Sequence, residues 1–98
     1  MLLKKLSEAS GVSSNESEVR NLIKDNIEDK VDELWTDVMG NLIAVKGKKK
    51  QGKKVLLSAH MDEVGLMITG IENNGLLNFR PVGDIDKRSL VSKPVLVG

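Results

Sequence analysis

Between Gly52-Lys53-Lys54 and the polar tripeptide His60-Met61-Asp62 lies an apolar run, Val55-Leu56-Leu57-Ser58-Ala59. A segment of this length without a polar face suits a strand covered on both sides, so it predicts a buried strand in an α/β arrangement. Reactive groups in open α/β sheets collect beyond the carboxyl ends of such strands. That place is held here by His60, the sole histidine, with Asp62 two residues on. Imidazole is a common metal ligand, and a carboxylate or carbonyl at its other ring nitrogen usually fixes the tautomer. The tripeptide therefore reads as half of a metal site, with His60 the candidate ligand and Asp62 the candidate catalytic carboxylate. By local pattern alone, a polar histidine at a loop boundary is the commoner case.

The chain has 98 residues, the size of one domain of roughly 100–150 residues. Its apolar content is aliphatic, with one Trp, one Phe and no Tyr, and 15 basic against 14 acidic side chains leave a charge of +1. That balance gives no drive toward nucleic acid or an anionic membrane. The absence of cysteine excludes disulfides, iron–sulfur clusters and thiol catalysis. No apolar stretch reaches the roughly 18 residues of a membrane span. Charges inside the apolar pattern of Met1-Leu2-Leu3-Lys4-Lys5-Leu6 are unlike a signal peptide, so a cytoplasmic protein is expected.

Leu2, Leu3, Leu6 and Ala9 share one helical face, ended by Gly11. Ser13 and Glu16 stand at capping-box spacing, and Val19, Leu22, Ile23 and Ile27 follow at helical intervals. A second helix is predicted over 14–29. The period then changes. Leu34-Trp35-Thr36 and Leu42-Ile43-Ala44-Val45 read as strands joined across Asp37 to Asn41, with Gly40-Asn41 suited to the turn. A polar, lysine-rich connection leads to the run at 55–59. Residues 64–71 and 76–82 read as a hairpin around Asn74-Gly75, and Pro94-Val95-Leu96-Val97 as one more strand. A strand at the terminal Gly98 implies uncovered edges, and with it the expectation that the chain is the front part of something larger.

Taken together, these segments resemble the amino-terminal part of the dinuclear metallo-aminopeptidases of the glutamyl/leucyl type, a family of tetrahedral particles in which some members are labelled endoglucanase or deblocking aminopeptidase. The resemblance rests on Gly11-Val12-Ser13 with Glu16 and Val19-Arg20, on Asp37 with Gly40-Asn41-Leu42, and on Ser58-Ala59-His60-Met61-Asp62-Glu63-Val64-Gly65. Pro81-Val82-Gly83 and Leu90-Val91 resemble the opening of the family's inserted dimerisation domain. It implies an α/β fold with two amino-terminal helices on a small mixed sheet, a partial metallopeptidase domain over 1–71, and the first strands of a β-rich dimerisation domain over 72–98. It also implies hydrolysis of amino-terminal residues from peptides with a free amino terminus, two divalent ions (zinc, cobalt or manganese), and a homo-oligomer. His60 resembles the histidine that binds one ion, and Asp62 the acidic residue that orients the ligand shell. The family's bridging aspartate, glutamate pair, further carboxylate and second histidine have no counterparts here, so the isolated chain is expected to be inactive and to hold metal weakly. Ser14 and Asp84 stand where relatives often have glycine.

Glu63 adjoins the motif, but neighbours on extended backbone point to opposite sides, which reads it as a solvated or rim carboxylate. Met61 and Met67 read as packing residues, since thioether suits soft copper. Lys46, Lys48, Lys49, Lys50, Lys53 and Lys54 form the one charge cluster. A nucleic-acid module would use them as a phosphate-binding hairpin, but Trp35 and Phe79 lie outside the cluster, and a solvated turn that discourages edge pairing is the simpler reading. A non-catalytic β-rich interaction module is the third possibility. It gives no reason for a strand to deliver His60 and Asp62 into a loop.

Overall fold

A computed structural model describes residues 1–98. The chain forms two compact units, Met1–Asp62 and Glu63–Gly98.

In the first unit α1 spans Leu2–Glu8 and α2 spans Ser17–Ile27, followed by a single 3₁₀ turn, Glu28–Lys30. The α2 stripe behaves as its spacing predicts. Val19 is buried and Leu22, Ile23 and Ile27 are half-buried, while Glu18, Lys24, Asp25 and Glu28 face water. Helix α1 contacts α2, and Ala9, just past the end of α1, is buried although Leu2 and Leu3 are exposed. Ala9 and Val19, 7% and 6% exposed, are the buried apolar side chains.

Strands β1 (Glu33–Thr36) and β2 (Leu42–Val45) pair antiparallel, Trp35 opposite Ile43. Asp37 organises their turn. Its Oδ1 accepts from the Met39 and Asn41 N–H groups, both at 2.9 Å, and its Oδ2 from Asn41 Nδ2 at 2.8 Å. Those bonds, the Asn41 side chain foremost, hold the Asp37 carboxyl below the usual carboxylate range. Gly40 adopts the left-handed region the turn requires, φ +88°, and its carbonyl accepts from Arg20 Nε at 2.8 Å. That bond ties α2 to the hairpin turn.

The second unit is a longer antiparallel hairpin, β3 (Gly65–Ile71) with β4 (Leu77–Val82). The register slips between Ile68 and Gly70, a bulge that adds local twist. The Asn-Gly turn forms as expected. The Glu72 N–H donates to the Leu76 carbonyl at 2.8 Å, and the Leu76 N–H donates to Asn74 Oδ1 at 3.0 Å. A 3₁₀ turn, Lys87–Leu90, follows behind Asp86. The Asp86 carboxylate caps it by accepting from the Arg88 N–H and also binds the Arg88 guanidinium, which lowers the acid's pKa and raises the arginine's.

The architecture is α/β, two amino-terminal helices with small antiparallel sheets. Three expectations are corrected. The run Val55-Leu56-Leu57-Ser58-Ala59 joins no ladder, and Leu56 and Leu57 are each 90% exposed. An apolar run specifies an environment, whereas a ladder needs a partner strand, and the strands of this chain pair with one another as two closed hairpins. Pro94-Val95-Leu96-Val97 likewise stays outside any ladder. Nor does Ser13 cap α2, which starts at Ser17 with Glu16 in the cap position and no side-chain cap bond. Ser13 is engaged elsewhere.

Candidate functional site

The candidate residues meet in the first unit, where the loop after α1 approaches 60–62. Gly11 is buried, and a Cβ there would lie 2.7 Å from Val19 Cγ2 and 3.2 Å from the Met61 carbonyl oxygen. Its missing side chain lets three pieces of chain touch: the loop, α2 and the backbone of the His60-Met61-Asp62 tripeptide. The loop then turns tightly, with the Asn15 N–H donating to the Val12 carbonyl at 2.7 Å. Ser14 takes the left-handed region, φ +77°, and its N–H donates to Glu16 Oε1. Glu16 is braced in turn by Arg20, its Oε2 3.5 Å from Nη2.

This loop delivers Ser13 to Asp62. Ser13 Oγ donates to Asp62 Oδ2 at 2.6 Å, joining residues 49 apart in sequence. His60 Nδ1 lies 3.0 Å from the Asp62 main-chain oxygen and 3.4 Å from Asp62 Oδ1. The main-chain oxygen is an acceptor, so the neutral ring carries its hydrogen on Nδ1 and donates to it, with the carboxylate Oδ1 close by. The lone pair of Nε2 is thereby left for a ligand, on a side chain that is 87% exposed. The Ser13 hydroxyl chiefly, with lesser help from the aspartate's own N–H and from His60, holds the Asp62 carboxyl below the usual carboxylate range. Asp62 is therefore an anion at neutral pH and suited to supporting an electropositive neighbour.

His60 and Asp62 thus lie together as the sequence suggested, the imidazole outermost and the carboxylate behind it. Glu63 begins the second unit and is exposed. Met61 is half-buried, its carbonyl facing Gly11, and Met67 lies in β3. Sequence reasoning missed Ser13 as a partner of Asp62. Its signal was Gly11-Val12-Ser13 itself, a glycine two residues before a hydroxyl, which the helix-cap reading absorbed.

A catalytic zinc site takes three protein ligands. No group of three or more His, Cys, Asp or Glu side chains comes together in this chain. Its residues offer one imidazole with a supporting carboxylate, and do not by themselves make a metal centre. The lysine-rich connection curls over Asp32 and Glu33 to line a shallow open depression. The Lys48 N–H donates to Asp32 Oδ2 at 2.9 Å and the Lys48 ammonium pairs with Glu33. Acidic groups at that spot offset the lysines, as a solvated turn allows and a phosphate cradle does not.

Comparisons with known proteins identify relatives of this chain. Residues 40–98, which include the His60-Met61-Asp62 tripeptide, match the family model of the M42 glutamyl aminopeptidases. The lysyl aminopeptidase of Pyrococcus furiosus is 37% identical over 95 residues, covering 96% of this chain and 27% of the relative. A crystal structure titled endoglucanase, from Thermotoga maritima, superposes with a TM-score of 0.82 at 53% identity, over 88% of this chain and 28% of that one. The TET1 peptidase of Pyrococcus horikoshii, whose title says it assembles into a tetrahedron or a large octahedral shell, gives 0.78 at 42% identity, over 89% and 26%. The chain thus spans little more than a quarter of the length of the relatives it matches.

Proposed function

The chain belongs to the M42 glutamyl aminopeptidase family, and on that premise we propose that it is the amino-terminal part of a metal-dependent aminopeptidase. The observation that carries the reading is the His60 ring: Nδ1 is engaged by the Asp62 main-chain oxygen with the Asp62 carboxylate close by, which leaves Nε2 free on a solvent-exposed side chain. In this reading His60 ligates one of two divalent ions, zinc, cobalt or manganese, and Asp62 fixes the ring. Residues 1–71 belong to the catalytic domain and 72–98 open the β-rich dimerisation domain. The substrate is a peptide with a free amino terminus. The isolated chain is inactive, because one ligand cannot assemble a two-ion site. A cytoplasmic location fits this role, and no helix is long and apolar enough to cross a membrane.

Homo-oligomerisation is part of the same proposal. Met67, Ile68, Ile71 and Phe79 on the hairpin, with Val95, Leu96 and Val97 beyond it, are exposed apolar side chains of the kind that drive association. The relative titled endoglucanase raises a glycosidase alternative. Glycoside hydrolysis uses a pair of flanking carboxylates, whereas the carboxylate beside His60 here is engaged in orienting the ring.

A chimera tests the proposal. Residues 1–98 replace the matching segment of the Pyrococcus furiosus lysyl aminopeptidase, and turnover is measured on free and N-acetylated peptides and on a β-glucan. The expected result is metal-dependent release of amino-terminal residues from free peptides alone, abolished by His60→Ala. Full turnover in the His60→Ala chimera, or cleavage of the glucan, overturns the reading.

A further inference from the structure

We propose that Ser13 is a positioning residue for His60: by pinning the Asp62 carboxylate it places a second acceptor at Nδ1, beside the Asp62 main-chain oxygen, and so biases the ring toward offering Nε2 to a ligand. The inference rests on the reading of His60 as a metal ligand and adds a residue that the sequence assigned to a helix cap.

Asp62 is 43% exposed at its side chain, and a carboxylate so placed has freedom to rotate. One of its oxygens is held. Ser13 Oγ donates to Oδ2 at 2.6 Å, the shortest bond Asp62 makes, and this leaves Oδ1 3.4 Å from Nδ1, a second acceptor beside the Asp62 main-chain oxygen at 3.0 Å. The pin is itself anchored. Gly11 lies flush against Val19 and the Met61 carbonyl, Asn15 closes the turn onto Val12, and Ser14 occupies left-handed backbone with its N–H on the Glu16 carboxylate. Glu16 and Arg20, whose side chains are only 19% and 18% exposed, hold the far side of that turn. A non-glycine residue kept in left-handed backbone beside a functional group signals a loop whose shape is imposed by its surroundings. The result is a chain of contacts from α2 through the loop to Asp62 and on to His60. In metal sites such outer contacts fix ligand tautomer and orientation.

The test reads the tautomer and needs neither metal nor substrate, so its outcome is separate from that of the aminopeptidase reading. His60 is the only histidine, which makes ring ¹³C and ¹⁵N signals of histidine-labelled chain unambiguous. Magic-angle-spinning NMR records them whatever the oligomeric state. At alkaline pH, with the ring neutral, the unaltered chain is expected to hold mainly the Nδ1–H form. Ser13→Ala should lower the ratio of Nδ1–H to Nε2–H by about three- to tenfold, the effect of one ordinary hydrogen bond, and Ser13→Thr should restore it. Asp62→Asn reads the same pin from its other end and leaves the Ser13 loop untouched. With Ser13 holding the amide oxygen, the amide NH₂ faces Nδ1 and opposes the hydrogen that the Asp62 main-chain oxygen still accepts there, so the ratio of Nδ1–H to Nε2–H should fall. Combining Asp62→Asn with Ser13→Ala frees the amide to flip and should recover Nδ1–H. A tautomer ratio unchanged in Ser13→Ala, or unchanged in Asp62→Asn with Ser13 present, overturns the proposal. Should Ser13→Ala not fold, the Asp62→Asn result decides alone.

Discussion

Replacing Gly11 with alanine puts a methyl group where the structure has no room for one. The added Cβ would sit 2.7 Å from Val19 Cγ2 and 3.2 Å from the Met61 carbonyl oxygen. Carbon atoms in comfortable contact are about 3.5–4.0 Å apart, so the first overlap is about 1 Å. Neither neighbour yields readily. Val19 is β-branched on a helix, where its χ1 is nearly fixed, and it is one of the two buried apolar side chains. The Met61 oxygen is backbone. Overpacking of this kind costs about 1–3 kcal/mol. Alanine recovers about 0.4–1 kcal/mol by narrowing the unfolded ensemble. The net expectation is destabilisation by about 1–2 kcal/mol, which at a urea slope near 1 kcal/mol/M lowers the midpoint by about 1–2 M. Urea titration followed by the fluorescence of Trp35 and by far-ultraviolet circular dichroism measures this, at a concentration where light scattering shows a single species. A double-mutant cycle isolates the cause. In a Val19→Ala background the obstructing methyl is gone, so Gly11→Ala should cost at least about 0.5 kcal/mol less than in the unaltered chain. An unchanged or higher midpoint in Gly11→Ala, or a cycle with no coupling, would refute the claim that Gly11 is there for close approach.

Three further outcomes follow from the same geometry. Ser14→Gly relieves a left-handed backbone that costs an L-residue about 1–2 kcal/mol, against the entropy that glycine adds to the unfolded chain, and should raise the urea midpoint slightly; a lower midpoint contradicts the strain reading. Asp37, Asp62 and Asp86 all have carboxyl pKa values depressed in the folded chain. Their stabilising contribution is complete above the unfolded carboxylate pKa, near about 4, and is lost as pH falls through the lower folded values, so stability should be flat near neutrality and fall on acidification; in Ser13→Ala the Asp62 carboxyl should titrate at higher pH by NMR, and an unmoved titration refutes the Ser13 bond. Self-association should depend on the second unit: Ile71→Lys with Leu96→Lys, both at exposed positions, should lower the mass seen by light scattering, and an unchanged mass would place the contact on the first unit.

Where the chain's own periodicity decided the structure, the sequence was readable. The 3.6-residue stripe from Val19 to Ile27, the two strands flanking Asp37 to Asn41, and the Asn74-Gly75 hairpin all formed within a few residues of their expected bounds. The proximity of His60 to Asp62 is also local, set by extended backbone and a two-residue separation. What escaped was relational. Whether 55–59 becomes a strand depends on a partner, and no pattern inside those residues records one. Ser13 had two uses open to it, a helix cap three residues before Glu16 or a bond to an acid 49 residues away, and only the first leaves a spacing signature. Ser14 takes a left-handed backbone that glycine adopts at no steric cost, and nothing in the local pattern marks that position. The Asp86 cap went unread, because a four-residue 3₁₀ segment is too brief to show a period.

The central claim is that His60 is a metal ligand acting through Nε2. Metal content of the lysyl aminopeptidase chimera, measured by plasma mass spectrometry after dialysis against trace metal, tests it most directly. The account predicts two divalent ions per chimeric chain and the loss of at least one in His60→Ala, with the hydrodynamic radius unchanged. Two ions retained in the His60→Ala chimera would contradict it.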